Sequence, residues 1–385
     1  MRGPAVKPVV IASGGTGGHL FPAEALAAEL VARGRRVALM TDARSRALDS
    51  PVFAGRERFV LPGAGIAGRG AARAARAVLA LAVGTVRARA ILGGLDAAAV
   101  VGFGGYPSVA PVLGARMLRD RPPVVLHEQN AVLGRANRFL ARHAGRLALS
   151  FPDTALVPAG MASVVTGNPV RPAIAALAGA GYAPPDAAGA LRVLVLGGSL
   201  GARVFADVVP AALAALPPEL RARLAVVQQC RAEDLARVQA AYAVAGIVAD
   251  LAPFFADVAT RLAAAHLVIS RAGASSVAEL AVAGRPAILV PLPGAIDDHQ
   301  SANARALVAA GAAEAIAQAA FTPARLAVTV AAWLGDPARL TAAAAVTAGV
   351  ARVDAAARLA DLVESIMKYE PVGVNAGPGG GGARA

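Results

Sequence analysis

The run VLVLGGSLGAR at Val193–Arg203 repeats, 183 positions on (Gly14 to Gly197), the pattern of VVIASGGTGGH at Val9–His19: an apolar strand that stops at paired glycines. A buried strand ending in a glycine turn and feeding an Ala- and Leu-rich stretch such as Pro22–Ala32 is the opening unit of a doubly wound domain. Two such units, one domain's length apart, predict two α/β domains in tandem. The apolar runs VVIAS, RVALM, AAVVGF, PVVLH, LALS, then LRVLVLGG, RLAVVQQ, HLVIS and PAILVPL alternate with helical Ala/Leu/Arg segments. That alternation is the pattern of parallel sheets with helices on both faces. The first domain is expected to close near Asn168-Pro169-Val170-Arg171, at about residue 170. Ligands are expected in a cleft between the facing carboxyl ends of the two sets of strands.

A glycine turn at a strand-to-helix corner offers unpaired N–H groups and the positive end of a helix dipole, so it favours an anion. Two common phosphate fingerprints are absent. The third glycine of G-x-G-x-x-G falls on Leu20, and no lysine is near for a triphosphate loop, Lys7 and Lys368 being the only two in the chain. The formal charge of +13 still suits anionic partners. Aromatic residues make up only 4%, which leaves few stacking platforms, and no nucleic acid is expected. Cys230 is the single cysteine, so neither an intrachain disulfide nor a paired-cysteine metal site can form, which suits a reducing compartment. No apolar run of signal-peptide length follows Met1–Pro8, and the uncharged stretch Ala97–Ala115 holds four glycines and two prolines. No transmembrane helix is therefore expected. The tail Ala376–Ala385, AGPGGGGARA, has nothing to bury and is expected to be disordered.

Polar residues gather where strands end. Gly104-Gly105-Tyr106-Pro107-Ser108 follows AAVVGF, and His127-Glu128-Gln129-Asn130 follows PVVL. The latter reads either as a helix start capped by Asn130 or as a functional cluster. Gly197-Gly198-Ser199 offers N–H groups and a hydroxyl to a phosphate. Ser276 and Glu279 have capping-box spacing; alternatively, Arg271–Ser276 is a diphosphate-binding helix entrance and Glu279 a carboxylate for ribose hydroxyls. Asp297 and Asp298 lack a third ligand at usable spacing, so no metal is expected and they read as a solvated helix start.

GGTGGH with Pro22-Ala23, GFGGYPS, HEQN, NPVR, GGSxGAR, RxGAxxxxE and D-x-x-Q-x-x-N-A (Asp297, Gln300, Asn303, Ala304) occur in this order between Val9 and Ala310. Together they resemble the MurG family of UDP-N-acetylglucosamine transferases, which make lipid II in peptidoglycan synthesis. The resemblance implies the two-domain glycosyltransferase B fold. It assigns 1–170 to an acceptor- and membrane-facing domain and 171–344 to a UDP-GlcNAc domain, with 345–370 crossing back to the first domain and 371–385 as tail. It also implies donor contacts at Thr16, Gly17, Gly18, Asn130, Arg171, Ser199, Ala274, Ser275, Ser276, Val277, Ala278, Glu279 and Gln300, with the Phe255 backbone holding uracil. Acceptor contacts fall on Gly14, Gly15, Tyr106, His127 and Asn303. This sequence departs from the family at Phe255, normally aliphatic, at Leu200, normally Gln, and at Gln228, normally His; the last two bear on the acceptor side and the polar network of the cleft.

The implied reaction is inverting: the 4-hydroxyl of lipid-linked N-acetylmuramic acid (lipid I) attacks the anomeric carbon and expels UDP. It needs no cofactor or metal. His19 is the first choice for the base and Glu128 the second, since a histidine suits proton removal near neutral pH. A non-hydrolysing UDP-GlcNAc 2-epimerase or another glycolipid synthase of the same fold is the alternative; a nicotinamide oxidoreductase is disfavoured by the failed fingerprint. The enzyme is expected at the cytoplasmic side of the inner membrane, with cell-wall synthesis and division proteins as further partners. Seven arginines and one acid, Glu57, lie between Arg56 and Arg89. On a broadly helical Arg69–Arg89, interrupted at Gly84, Arg69, Arg73, Arg76 and Arg87 share one sector beside Val78, Leu79, Leu81 and Val86. That face is expected to meet anionic lipid.

Overall fold

The computed structural model describes residues 6–14, 17–43, 50–63, 71–198 and 201–367, and the side chains of 71–74 are not included. The positions Gly15, Thr16, Arg69, Ser199, Leu200 and the 371–385 tail, named above, lie outside the described residues. In the first domain the strands are β1 (Val9–Ala12), β2 (Val37–Thr41), β3 (Arg58–Val60), β4 (Ala99–Gly102), β5 (Val124–Glu128), β6 (Arg146–Leu149) and β7 (Ser163–Val165). Their order is β3-β2-β1-β4-β5-β6-β7, parallel throughout. The second domain holds β8 (Leu191–Leu196), β9 (Leu224–Gln229), β10 (Val248–Ala252), β11 (Leu267–Ser270), β12 (Ala287–Leu289) and β13 (Ala313–Ala315). Their order, β10-β9-β8-β11-β12-β13, repeats the first.

In both sheets the strand order reverses beside the glycine-terminated strand: β1 pairs β2 on one side (Val9↔Val37) and β4 on the other (Val9↔Ala99), as β8 does with β9 and β11. This is the switch point at which open α/β sheets bind ligands. Every residue of β1 is buried. Val9 and Ile11 face one core with Leu26 and Leu30 of the Gly17–Ala32 helix, and Val10 faces another with Leu92, Val112 and Leu126.

The helix that returns to the first domain is Ala355–Ile366. Leu359, Ala360, Leu362 and Val363 enter the same core as Val9 and Leu26. Arg33 donates to Asp361 (2.6 Å) and Glu364 (2.9 Å), and Arg35 to Glu364 (2.6 Å), which pins the helix from outside. Residues 345–349 instead complete the Pro337–Gly349 helix, which packs on Ala274–Ala283 of the second domain. The return thus starts ten residues after the expected boundary.

The Ala71–Leu95 helix runs through Gly84 without a break, contrary to expectation. A Cβ at Gly84 would lie 2.3 Å from Pro62 O, and one at Gly114 2.8 Å from Arg89 N, so small residues let the neighbouring chain close on this helix. By length and composition Ala75–Leu95 could cross a membrane. Here Ala77, Ala88 and Leu92 are buried against the domain, and Val78, Leu79, Val83 and Val86 stand exposed on the outer side.

Candidate active site

The carboxyl ends of the two sheets open onto one shared cleft of about 1270 Å³. On the second-domain wall, Gly198 has φ +80°, and a Cβ on Gly197 would lie 2.4 Å from Ala202 N, so only glycines allow this turn. Gln229, at the end of β9, holds it: Oε1 accepts from Gly197 N, and Nε2 donates to Gly198 O and Pro253 O, each at 3.1 Å. Sequence reasoning gave Gln229 no role, although a polar residue ending an apolar strand was the signal already used for HEQN.

The Ala274–Ala283 helix begins at Gly273, which is extended and supplies no side-chain cap. Its first-turn N–H groups are therefore available to a ligand. The capping-box reading fails: Ser276 is inside the first turn, and Glu279 accepts from Arg171 instead, 2.9 Å from both Nε and Nη2. Burial raises the Glu279 carboxyl above its ordinary range, and Arg171 opposes the shift. Arg171 also lies 4.5 Å over the Phe21 ring, tying Glu279 to the first domain. Ala274, Ser275, Ser276 and Glu279 line the cleft. Val277 and Ala278 do not; helical geometry turns them into the core beside Ile174 and Leu262.

Arg271 borders the cleft, but its guanidinium donates to Val290 O (3.1 Å), Pro291 O (3.3 Å) and Gln318 Oε1 (2.7 Å). It anchors the loops behind the helix entrance, and the entrance itself is backbone. Phe255 lies at the cleft's second-domain end with Arg261 4.1 Å over its ring. Gln300 reaches the cleft while accepting from Leu292 N (2.9 Å). Gln228 points away from the cleft, its Oε1 bound by Tyr242 Oη at 2.5 Å in the core, so this departure from the family leaves the cleft untouched.

On the first-domain wall, Gly17, Gly18, His19, Tyr106, Gln129 and Asn130 line the cleft. Tyr106 hydrogen-bonds Asp42. His19 Nδ1 is 2.8 Å from Phe103 O, and the Gln129 amide nitrogen touches the same Nδ1. Glu128 is buried and occupied: Oε1 accepts from Asn130 N and Nδ2 (both 3.0 Å), Oε2 from Gly134 N (2.8 Å) and Asn137 Nδ2 (2.9 Å). Four donors on two oxygens leave no lone pair for a substrate proton. Asn130 is thus held by Glu128 rather than capping a helix.

Three expected acceptor contacts are set back from the cleft. Gly14 is buried and does not line the cleft. His127 is fully buried, with Nε2 3.2 Å from Gly167 O and its ring 5.2 Å from that of Phe103; burial pushes its pKa down to about 4. Asn303, also fully buried, joins the domains: Oδ1 accepts from Ala131 N (2.8 Å), and Nδ2 donates to Asn130 Oδ1 (3.2 Å) and Ala272 O (3.1 Å). Asp297 pairs with Arg138 across the same seam. Among the described residues no cluster has the composition of a metal site.

The chain matches the N-terminal domain of glycosyltransferase family 28 over residues 9–149 and its C-terminal domain over 192–359. It is 67% identical, over 279 residues that cover 72% of this chain and 73% of the relative, to the UDP-N-acetylglucosamine--N-acetylmuramyl-(pentapeptide) pyrophosphoryl-undecaprenol N-acetylglucosamine transferase of Granulibacter bethesdensis. The crystal structure of Acinetobacter baumannii MurG superposes with a TM-score of 0.75 at 33% identity, covering 93% of this chain and 99% of that one. The UDP-GlcNAc 2-epimerase of Neisseria meningitidis superposes at 0.64 with 12% identity, covering 93% and 100%, a likeness of fold alone.

Proposed function

The chain belongs to the MurG family of glycosyltransferase family 28, and from that premise we infer that it moves N-acetylglucosamine from UDP-GlcNAc to the 4-hydroxyl of MurNAc in lipid I, forming lipid II with inversion. The observation that carries the reading is the meeting of the two cleft walls. Ser275 Oγ, in the first turn of the uncapped helix, lies 3.4 Å from Gly18 O, one residue from His19. A base on one wall and a diphosphate-binding helix end on the other are what a displacement at an anomeric carbon requires.

On this reading the donor diphosphate lies on the first-turn N–H groups of Ala274–Ala283 and on the Gly197-Gly198 turn. Negative charge grows there as the sugar–phosphate bond breaks, so fixed N–H donors stabilise the transition state more than the ground state. Glu279 Oε2, without a protein donor among the described residues, takes the ribose hydroxyls, and the backbone at Phe255 takes uracil. His19 is the base: the acceptor O–H bond breaks as its proton passes to Nε2, the oxygen bonds to the anomeric carbon, and the bonding pair leaves with UDP. Glu128 shapes the loop that presents Asn130.

The acceptor carries a lipid, and Leu81, half-buried on the Ala71–Leu95 helix, lines the cleft. The exposed Val78, Leu79, Val83 and Val86 continue from it, with Arg76 and Arg87 about 20° apart around the helix at 100° per residue. That face supports peripheral attachment to an anionic leaflet, with the cleft opening beside the lipid chain. It is the place to look for contact with cell-wall synthesis and division proteins.

Transfer of labelled GlcNAc from UDP-GlcNAc to a lipid I analogue tests the function. Labelled disaccharide-lipid is the expected product. Epimerised UDP-sugar in the absence of acceptor, with no glycolipid in its presence, would overturn it.

A further inference from the structure

Resting on the reading of His19 as base, we infer that Gln129 is a positioning residue: braced by the buried His127, its amide fixes the tautomer in which His19 Nε2 carries the lone pair.

A backbone carbonyl can only accept. With Phe103 O 2.8 Å from His19 Nδ1, that nitrogen must carry the proton of the neutral ring, which leaves Nε2 bare. Nε2 lies beside Gly105, where a Cβ would sit 3.6 Å from it; Gly105 has φ +65° and lines the cleft with His19. The same logic applies to His127. Its Nε2 is 3.2 Å from Gly167 O and must donate, so its Nδ1 is a bare acceptor.

The Gln129 amide stands between the two rings, touching His19 Nδ1 and reaching His127. With its nitrogen toward His19, two N–H donors confront each other, and both Gln129 Oε1 and His127 Nδ1 are buried without a partner. Turned over by 180°, the amide satisfies both rings: Oε1 accepts from His19 Nδ1–H and Nε2 donates to His127 Nδ1. Oxygen and nitrogen of an amide have the same shape, so the hydrogen-bond pattern decides between them. Two orphaned buried atoms cost far more than none. The chain of contacts then runs from Gly167 O through His127, Gln129 and His19 to the cleft without a mismatch. When Nε2 takes up the acceptor's proton, two oxygens already face the Nδ1–H of the resulting imidazolium. Burial keeps His127 neutral, which preserves the bare Nδ1 that orients the amide.

Two-bond 1H–15N correlation spectra of 15N-histidine-labelled protein read both tautomers directly. In the wild type His19 should show Nδ1–H with bare Nε2, and His127 Nε2–H with bare Nδ1. Gln129→Met keeps the volume and removes the amide. His19 should then exchange between tautomers and kcat fall by about 10- to 100-fold, with KM for UDP-GlcNAc within about twofold, since uniform binding is untouched. Gln129→Glu restores an acceptor and should return His19 to Nδ1–H. A wild-type His19 protonated at Nε2, or a Met variant that keeps the wild-type tautomer, overturns the inference. If the tautomers behave as stated but His19→Ala turns over normally, the inference about Gln129 stands and the base assignment falls.

Discussion

Glu279 Oε1 accepts from both Nε and Nη2 of Arg171 at 2.9 Å, so the carboxylate assigned to the donor ribose is held by the residue at the junction of the two domains. Glu279→Gln keeps the size and removes the charge. The expected loss is roughly 1.5–3 kcal/mol in donor binding, the worth of a hydrogen bond to a charged group, read as a rise in KM for UDP-GlcNAc. A lower melting temperature with unchanged KM would leave Glu279 only its ion pair.

His19→Ala should lower kcat by about 10² to 10⁴ and leave UDP affinity nearly intact. Glu128→Gln should act differently, because it places an NH₂ against two of the four N–H donors. The expected cost is roughly 1–3 kcal/mol of stability. If Glu128→Gln folds as stably as wild type yet loses all turnover, the two roles are reversed.

Asn303→Leu removes three hydrogen bonds, two of them across the seam between the domains, and leaves Ala131 N and Ala272 O without their partner. A loss of roughly 1–3 kcal/mol in unfolding free energy is expected. Donor KM should rise as well, since Asn130 loses its brace; unchanged stability and KM would show that the seam is held elsewhere.

His127 supplies a pH signature. Its pKa falls from an ordinary 6.5 to about 4 on folding, because burial penalises the charged ring. Above 6.5 both folded and unfolded states hold it neutral and stability is unaffected. As pH falls from 6.5 toward 4 only the unfolded chain takes the proton, so stability is lost across that window, by up to about 3 kcal/mol at 1.36 kcal/mol per unit. Melting curves should fall over this range, and less steeply for His127→Gln. Equal slopes would remove His127 as the cause.

Arg76→Gln with Arg87→Gln should weaken sedimentation with anionic vesicles roughly tenfold or more, at about 1 kcal/mol per arginine, while leaving transfer to a soluble acceptor analogue unchanged. Binding indifferent to lipid charge, salt and both substitutions would make the face a solvated one. Arg69 and the Arg73 side chain lie outside the described residues.

Which strands could be read from sequence follows from their place in the sheets. The nine apolar runs are interior strands such as β1 and β11, buried along their whole length. The four that went unread, β3, β7, β10 and β13, are the four sheet edges, short or partly exposed, where no continuous apolar run is needed. The site was legible in the same uneven way. Polar residues after apolar strands marked its location, because strand ends in such sheets face the ligand. Their direction was not written there. His127 and Glu128 are adjacent in sequence to Gln129 and Asn130, yet only tertiary contacts with Gly167, Gly134 and Asn137 decide that His127 turns inward and that Glu128, at the cleft wall, is already occupied.

The return of Ala355–Ile366 to the first core sets an order on biosynthesis. Domains fold largely as they leave the ribosome, N-terminal part first. Here the apolar surface of the Gly17–Ala32 helix waits for Leu359, Leu362 and Val363, which are made after the whole second domain. The part of the protein translated first is therefore completed last, and a nascent chain halted short of residue 355 exposes that surface however well its second domain has folded.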